Sequence, residues 1–287
     1  MRGCLMLRWY VVQVDLVEFP KPWPLFYAVL GLSTGYMAFA FFRTWRLWSR
    51  GIDEPTAGRG DYKRSSLIWL SEVLLQRQLR MLSFGRWLVH LSIFYGFMGL
   101  SLLSVAVWIL NAAGLLALSS TSPRFYLHPE GYIFIKIWGD SFGLLLFAGL
   151  VIAGIRRLMA LEERQTSNQM DAILLALLLA VTLSGFGLEG LRLAVMPSEI
   201  ARYSFIGRLF SPSATHTLAQ LRPWLTACWT LHVLLVSTLI AYLPHSKLMH
   251  SLLAPVIIGM NAAEEYNRED LYWPETEKYR EPRSPRG

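Results

Sequence analysis

Long apolar runs alternate with short polar, mostly basic stretches along the whole chain. Five runs are long enough to cross a bilayer: residues 25–48, 86–118, 132–155, 171–195 and 224–255. A helical span needs roughly 20 predominantly apolar residues to cover a hydrocarbon core of about 30 Å. The pattern predicts an all-α membrane protein with five transmembrane helices. The second run is longer than that thickness requires, so it tilts or projects beyond the bilayer. Residues 1–23 form a shorter apolar stretch broken by Asp15 and Glu18, with no small-residue cleavage pattern. They read as an interfacial segment rather than a signal peptide. The membrane domain is then 24–255. A charged, proline-containing cytoplasmic tail, 256–287, is a candidate docking segment for a partner.

Composition agrees with the pattern. Charged residues make up 16% of the chain and hydrophobic ones 54%, against about 25% charged in an ordinary soluble domain. A formal net charge of +7 points, in such a chain, to anchoring at the inner membrane face rather than to nucleic acid. The first loop and its borders carry nine basic residues: Arg43, Arg46, Arg50, Arg59, Lys63, Arg64, Arg77, Arg80 and Arg86. The following loops carry two, three and four. The positive-inside rule puts the first loop in the cytoplasm, the N-terminus outside and the C-terminus inside, in the plasma membrane. Two cysteines, Cys4 and Cys228, cannot hold an iron–sulfur cluster, which usually takes four thiolates.

The chemistry rests on histidines. His232 and His250 fall in the fifth run, 18 residues apart. On one continuous helix that is close to five turns, so both rings would share a face about 27 Å apart. A histidine inside a span is costly without a task or partner, and haem iron is a common partner of such side chains. His90 lies near the cytoplasmic end of the second span, at the depth of His250 on an antiparallel helix. The expectation is a haem b held between the second and fifth helices by His90 and His250. His232 is the expected ligand of an outer haem b. Its opposite ligand stays open among His128, Met98, His216 and an open iron position. The bland alternatives are an interfacial His90, a helix-capping His250 and a hydrogen-bonded core His232.

Two carboxylates at the outer ends of the third and fourth spans, Asp140 and Glu189, are candidates to take protons from a quinol. His128, Tyr132 and Trp138 belong to the same neighbourhood. The competing reading makes Glu189 and Arg192 a simple ion pair and Asp140 a buried hydrogen-bond partner. Gly96 and Gly99 read by default as helix-packing positions.

The segments RWLVHLSIFYGFMGL (86–100) and LHVLLVSTLIAYLPHSKLMHSLLAP (231–255) resemble the membrane cytochrome b, or gamma, subunit of respiratory nitrate reductase. They resemble still more the membrane subunits of heterodisulfide reductase and of the sulfite-reductase-associated complex. The resemblance implies two haems b linking a quinone site, menaquinone in the first instance, to a cytoplasmic iron–sulfur subunit. It assigns His90 and His250 to the inner haem and His232 to the outer one. Where the nitrate reductase pattern has a second histidine, ten residues after the first, this chain has Leu100. That favours the heterodisulfide reductase branch. The chain would then be the membrane subunit of a quinone-linked oxidoreductase, not catalytic alone on a soluble substrate. The rivals are a hydrogenase- or formate-dehydrogenase-type cytochrome b and a haem-free membrane anchor. A transporter is disfavoured by the lack of internal repeats and paired broken helices.

Overall fold

The computed structural model describes residues 23–49, 62–112, 129–159, 169–194, 202–211, 218–249, 253–255 and 258. Helix α1 is Trp23–Ser49, α2 Tyr62–Val73, α3 Arg77–Leu82, α4 Phe84–Ala112, α5 Pro129–Met159, α6 Gln169–Leu193 and α7 Leu218–Tyr242. Two 3-10 turns, Gly207–Phe210 and Leu243–His245, complete the described elements. Helices α1, α4, α5, α6 and α7 are long and apolar enough to cross a membrane, as the five apolar runs predict. The chain is a multi-pass membrane protein.

Hydrocarbon offers no partner to a backbone N–H or carbonyl, so a spanning segment closes its bonds internally as a helix. Hydroxyls inside the spans obey the same constraint. Ser33 donates to the Val29 carbonyl at 2.8 Å, Thr182 to Leu178 at 2.8 Å and Thr230 to Thr226 at 2.8 Å, each one turn back. The helix ends carry the charges that suit their dipoles. Asp171 sits in the first turn of α6, and Arg156 and Arg157 in the last turn of α5.

Contacts divide the chain into two units, Met1–Tyr36 with Val89–Tyr242, and Met37–Leu88 with Leu243–Gly287. In the first, α6 is the centre, packing against both α5 and α7. Its buried side is a stripe at helical spacing: Leu178, Thr182, Phe186, Gly190 and Leu193. On α7, Leu221 and Leu225 are buried against Leu188, Leu191 and Ala194 of the α6 end. Helices α4 and α5 cross closely because glycines remove side chains at the crossing. A Cβ on Gly96 would come within 2.5 Å of the Leu146 backbone, and one on Gly149 within 2.9 Å of Ile93. Gly99 faces the Phe142 ring, and its carbonyl accepts from Trp138 Nε1 at 2.9 Å. Gly96 and Gly99 are therefore packing positions, filled by α5.

The second unit corrects the reading of 49–85 as a plain loop, since it contains α2 and α3. Trp69 Nε1 donates to the Pro255 carbonyl at 2.7 Å. The turn between α2 and α3 places Gln76 in the left-handed region, with φ 49 and ψ 49.

The fifth apolar run needs a larger correction. It is not one helix from Trp224 to Pro255. Helix α7 starts earlier, at Leu218, with Pro223 inside its second turn. It stops at Tyr242, and the chain passes into the 3-10 turn Leu243–His245. Pro244 explains the stop: it has no N–H to donate, and it pushes the preceding residue away from the α conformation. Ser246 then holds the turn, its N–H donating to the Leu243 carbonyl at 3.1 Å and its Oγ accepting from Leu248 N–H at 3.2 Å. The five-turn register between His232 and His250 rests on an unbroken helix and so does not hold.

Candidate functional site

Two polar places interrupt the apolar interior of the first unit. The first surrounds His232, near the middle of α7. Its Nδ1 lies 2.9 Å from the Ser184 hydroxyl on α6, and that hydroxyl lies 3.0 Å from the Val181 carbonyl. The local sequence of α6, Ser184-Gly185-Phe186-Gly187, makes this approach possible. A Cβ on Gly185 would already touch His232 Cε1 at 3.4 Å. One turn before His232, the Cys228 thiol faces the Ser184 carbonyl at 3.7 Å. The ring is thus fixed through one nitrogen against a neighbouring helix. A partner on Nδ1 sets the tautomer and leaves Nε2 as the nitrogen for a metal. The donor set fits a haem iron ligand in that respect.

The second place is a cluster of charges at the end of α5 and α6. Lys136 and Asp140, one turn apart on α5, share a face. Glu189 and Arg192 share one on α6. Lys136, only 6% exposed, forms an ion pair with Glu189 Oε1. Arg192 Nη1 lies 3.6 Å from Glu189 Oε2. Residues 202–211 lie against α6, where Gly190 admits the Phe210 backbone: a Cβ there would meet the Phe210 carbonyl at 2.5 Å. Asp140 Oδ2 anchors this strap, accepting from the Ser204 hydroxyl at 3.1 Å and from the Ile206 N–H at 2.7 Å. Ser204 is fully buried and Asp140 is 4% exposed. Buried ions demand such partners, because an unpaired charge in low dielectric costs several kcal/mol.

Asp140 and Glu189, expected at one site, do fall in one cluster. Each has the bonding of its bland alternative as well: Asp140 holds a strap and Glu189 pairs with Arg192. Sequence reasoning missed Lys136 and Ser204. Lys136 carried a signal, a lone ammonium inside an apolar run, four residues before Asp140. Ser204 carried none, because only the return of the strap places it there. Trp138 points instead to α4 through its bond to Gly99. His90 is half-buried on α4. His128, His216 and His250 lie outside the described residues. Along α6, Ser184 and Glu189 are five residues apart, so the level of His232 and the charge cluster differ by about 7–8 Å along the axis.

Five apolar helices with histidines within two of them define a multi-pass helical membrane protein whose spans carry ligand-type side chains. Residues 67–258 match the model of the HdrE family, and the chain belongs to that family, a subunit of dihydromethanophenazine:CoB--CoM heterodisulfide reductase. The HdrE protein of Methanosarcina barkeri is 30% identical over 232 residues, 79% of this chain and 76% of the relative. That of Methanosarcina acetivorans is 28% identical over 233 residues, with the same coverage. A shorter match, 32% identical over 109 residues, covers 38% of this chain and 32% of an Hdr-like menaquinol oxidoreductase cytochrome b-like subunit of Archaeoglobus fulgidus. No solved structure matches the chain. The heterodisulfide reductase arm of the resemblance is the one the family match supports.

Proposed function

We propose that this chain is the haem b-carrying membrane subunit of a quinone-linked oxidoreductase complex. It passes electrons between a quinone pool and a cytoplasmic iron–sulfur subunit. The observation that carries this reading is His232, held through Nδ1 by Ser184 in the middle of a span. His90 and His250 are the further candidate ligands, with His128 a candidate near the outer end. Haem b supplies one-electron transfer when bound. The residues of this chain orient the ligand nitrogen and exclude water around it.

The cluster of Lys136, Asp140, Glu189 and Arg192 is the candidate quinone end. There Glu189 or Asp140 accepts the protons that a quinol gives up. The relatives name two classes of reductant: dihydromethanophenazine for the Methanosarcina proteins and menaquinol for the Archaeoglobus protein. Menaquinone is the carrier in this reading. Basic residues concentrated between 43 and 86 support a cytoplasmic first loop and tail, and an outer N-terminus.

A pyridine haemochrome assay on the purified chain, with reduced-minus-oxidised spectra, tests this directly. At least one haem b per chain is expected, with His232→Ala removing one equivalent. Ser184→Ala should weaken haem retention by about 10–100-fold, the usual cost of losing the group that orients a ligating histidine. A chain without haem, whose Ser184–His232 bond merely satisfies a core histidine, overturns the reading in favour of a haem-free anchor.

A further inference from the structure

Residues 75–88 combine large exposed apolar side chains with arginines in a way the electron-transfer reading does not use. Leu75 is 58% exposed, Met81 70%, Leu82 83%, Phe84 62% and Leu88 50%. Arg77, Arg80 and Arg86 are exposed among them, and the segment contains no Asp or Glu. Its backbone is firmly built. Trp87 Nε1 donates to the Leu75 carbonyl at 2.7 Å, closing α3 into an elbow against the first turn of α4. The Arg80 guanidinium lies over the Trp87 ring, 5.5 Å from its centroid. Phe84 packs on the same ring at 5.4 Å. Ser83 starts α4, its carbonyl accepting from Trp87 N–H at 2.9 Å.

Phe84 and Leu88 belong to the first turns of a membrane span, Phe84–Ile109. Hydrocarbon therefore reaches this end of α4, and Met81 and Leu82 precede it by only two or three residues. An elbow with apolar side chains, a tryptophan whose N–H is already bonded and three exposed arginines matches the boundary between acyl chains and headgroups. We propose that residues 75–88 lie in that boundary and hold anionic phospholipid. Arg77, Arg80 and Arg86 reach phosphodiester groups, and Leu75, Met81 and Leu82 enter the acyl layer. Continuity with the span and the positive charge of the segment select the bilayer as the occupant over a soluble protein.

The test uses the full chain in nanodiscs, in a Cys4→Ala, Cys228→Ala background. A nitroxide at Leu82→Cys should collide more with oxygen than with a nickel chelate, as a label at Leu32→Cys in α1 does. In discs of mixed phosphatidylglycerol and phosphatidylcholine, native mass spectrometry should show phosphatidylglycerol enriched on the chain. Arg77→Gln, Arg80→Gln and Arg86→Gln together should cut that enrichment by about fivefold or more, from about 1 kcal/mol per basic residue near an anionic surface. Preferential access of the chelate to the Leu82 label overturns the proposal. So does its shielding from both agents in the assembled complex, which would put a protein over the elbow. Unchanged lipid enrichment in the triple variant also overturns it. The label in the otherwise unaltered elbow decides the matter even if the triple variant does not fold.

Discussion

Helices α1 and α6 are alike as strings of letters: each is apolar and long enough to span a bilayer. In the fold they have opposite fates. From Trp23 to Leu47, α1 has no buried residue, with Leu32 76% and Phe39 62% exposed. Its described packing on other helices is an aromatic end, where Trp23 and Phe26 meet Trp229 at 5.7 and 5.6 Å. Helix α6 has neighbours on two sides, buries a continuous stripe and carries Ser184 and Glu189. The family match begins at residue 67 and so leaves out α1. The difference teaches that hydropathy reports whether a segment can cross lipid. It does not report whether the segment faces lipid or protein, since both surroundings are apolar.

The comparison can be broken most forcefully at the charge cluster of α6. Glu189→Ala strands the Lys136 ammonium, and about 3–5 kcal/mol of stability should go with it. The midpoint of unfolding in mixed micelles reads this loss. Lys136→Met combined with Glu189→Leu should recover most of it, because no unpaired charge then remains buried. A single and a double variant of equal stability would mean that the pair is not closed off from solvent.

Next in size is the α6–α7 packing. Leu225, 1% exposed, should cost about 2–5 kcal/mol on truncation to alanine in the same assay. Asp140→Ala should cost about 1–3 kcal/mol, by leaving the Ser204 hydroxyl and the Ile206 N–H without an acceptor. Its signature is local: amide exchange across 202–211 should speed up before the helices loosen, and unchanged exchange there would remove Asp140 from its anchoring role. At the bottom of the scale, Leu32→Ala in α1 should shift stability by no more than about 0.5 kcal/mol. A loss as large as that at Leu225 would show that α1 has a packing partner and would erase the contrast with α6.

Most of the architecture was legible in the chain, and the reasons are local. Apolar length marks a span, because the bilayer forces any crossing backbone into a helix. Asp171, Arg156 and Arg157 stand where the helix ends need them. Helices α2 and α3 were not legible. They are short and polar, and their places depend on contacts such as Trp69 with Pro255. The end of α7 is written in Pro244. Apolar character continues past that residue but helical hydrogen bonding does not, and the backbone decides where a helix stops.

The candidate site divides along the same line. The sequence by itself determined which side chains are chemically capable: His232, His90, Asp140 and Glu189 stand out because polar groups are costly inside apolar runs. It also settled the number of spans and the excess of positive charge in the first loop. Only the tertiary structure decided what those side chains meet. Ser184 reaches His232 from a helix 48 residues away, and Lys136 reaches Glu189 across 53. Helical periodicity extends only within one element. Pairings between elements are set by which small residues, such as Gly185 and Gly190, let two backbones come close.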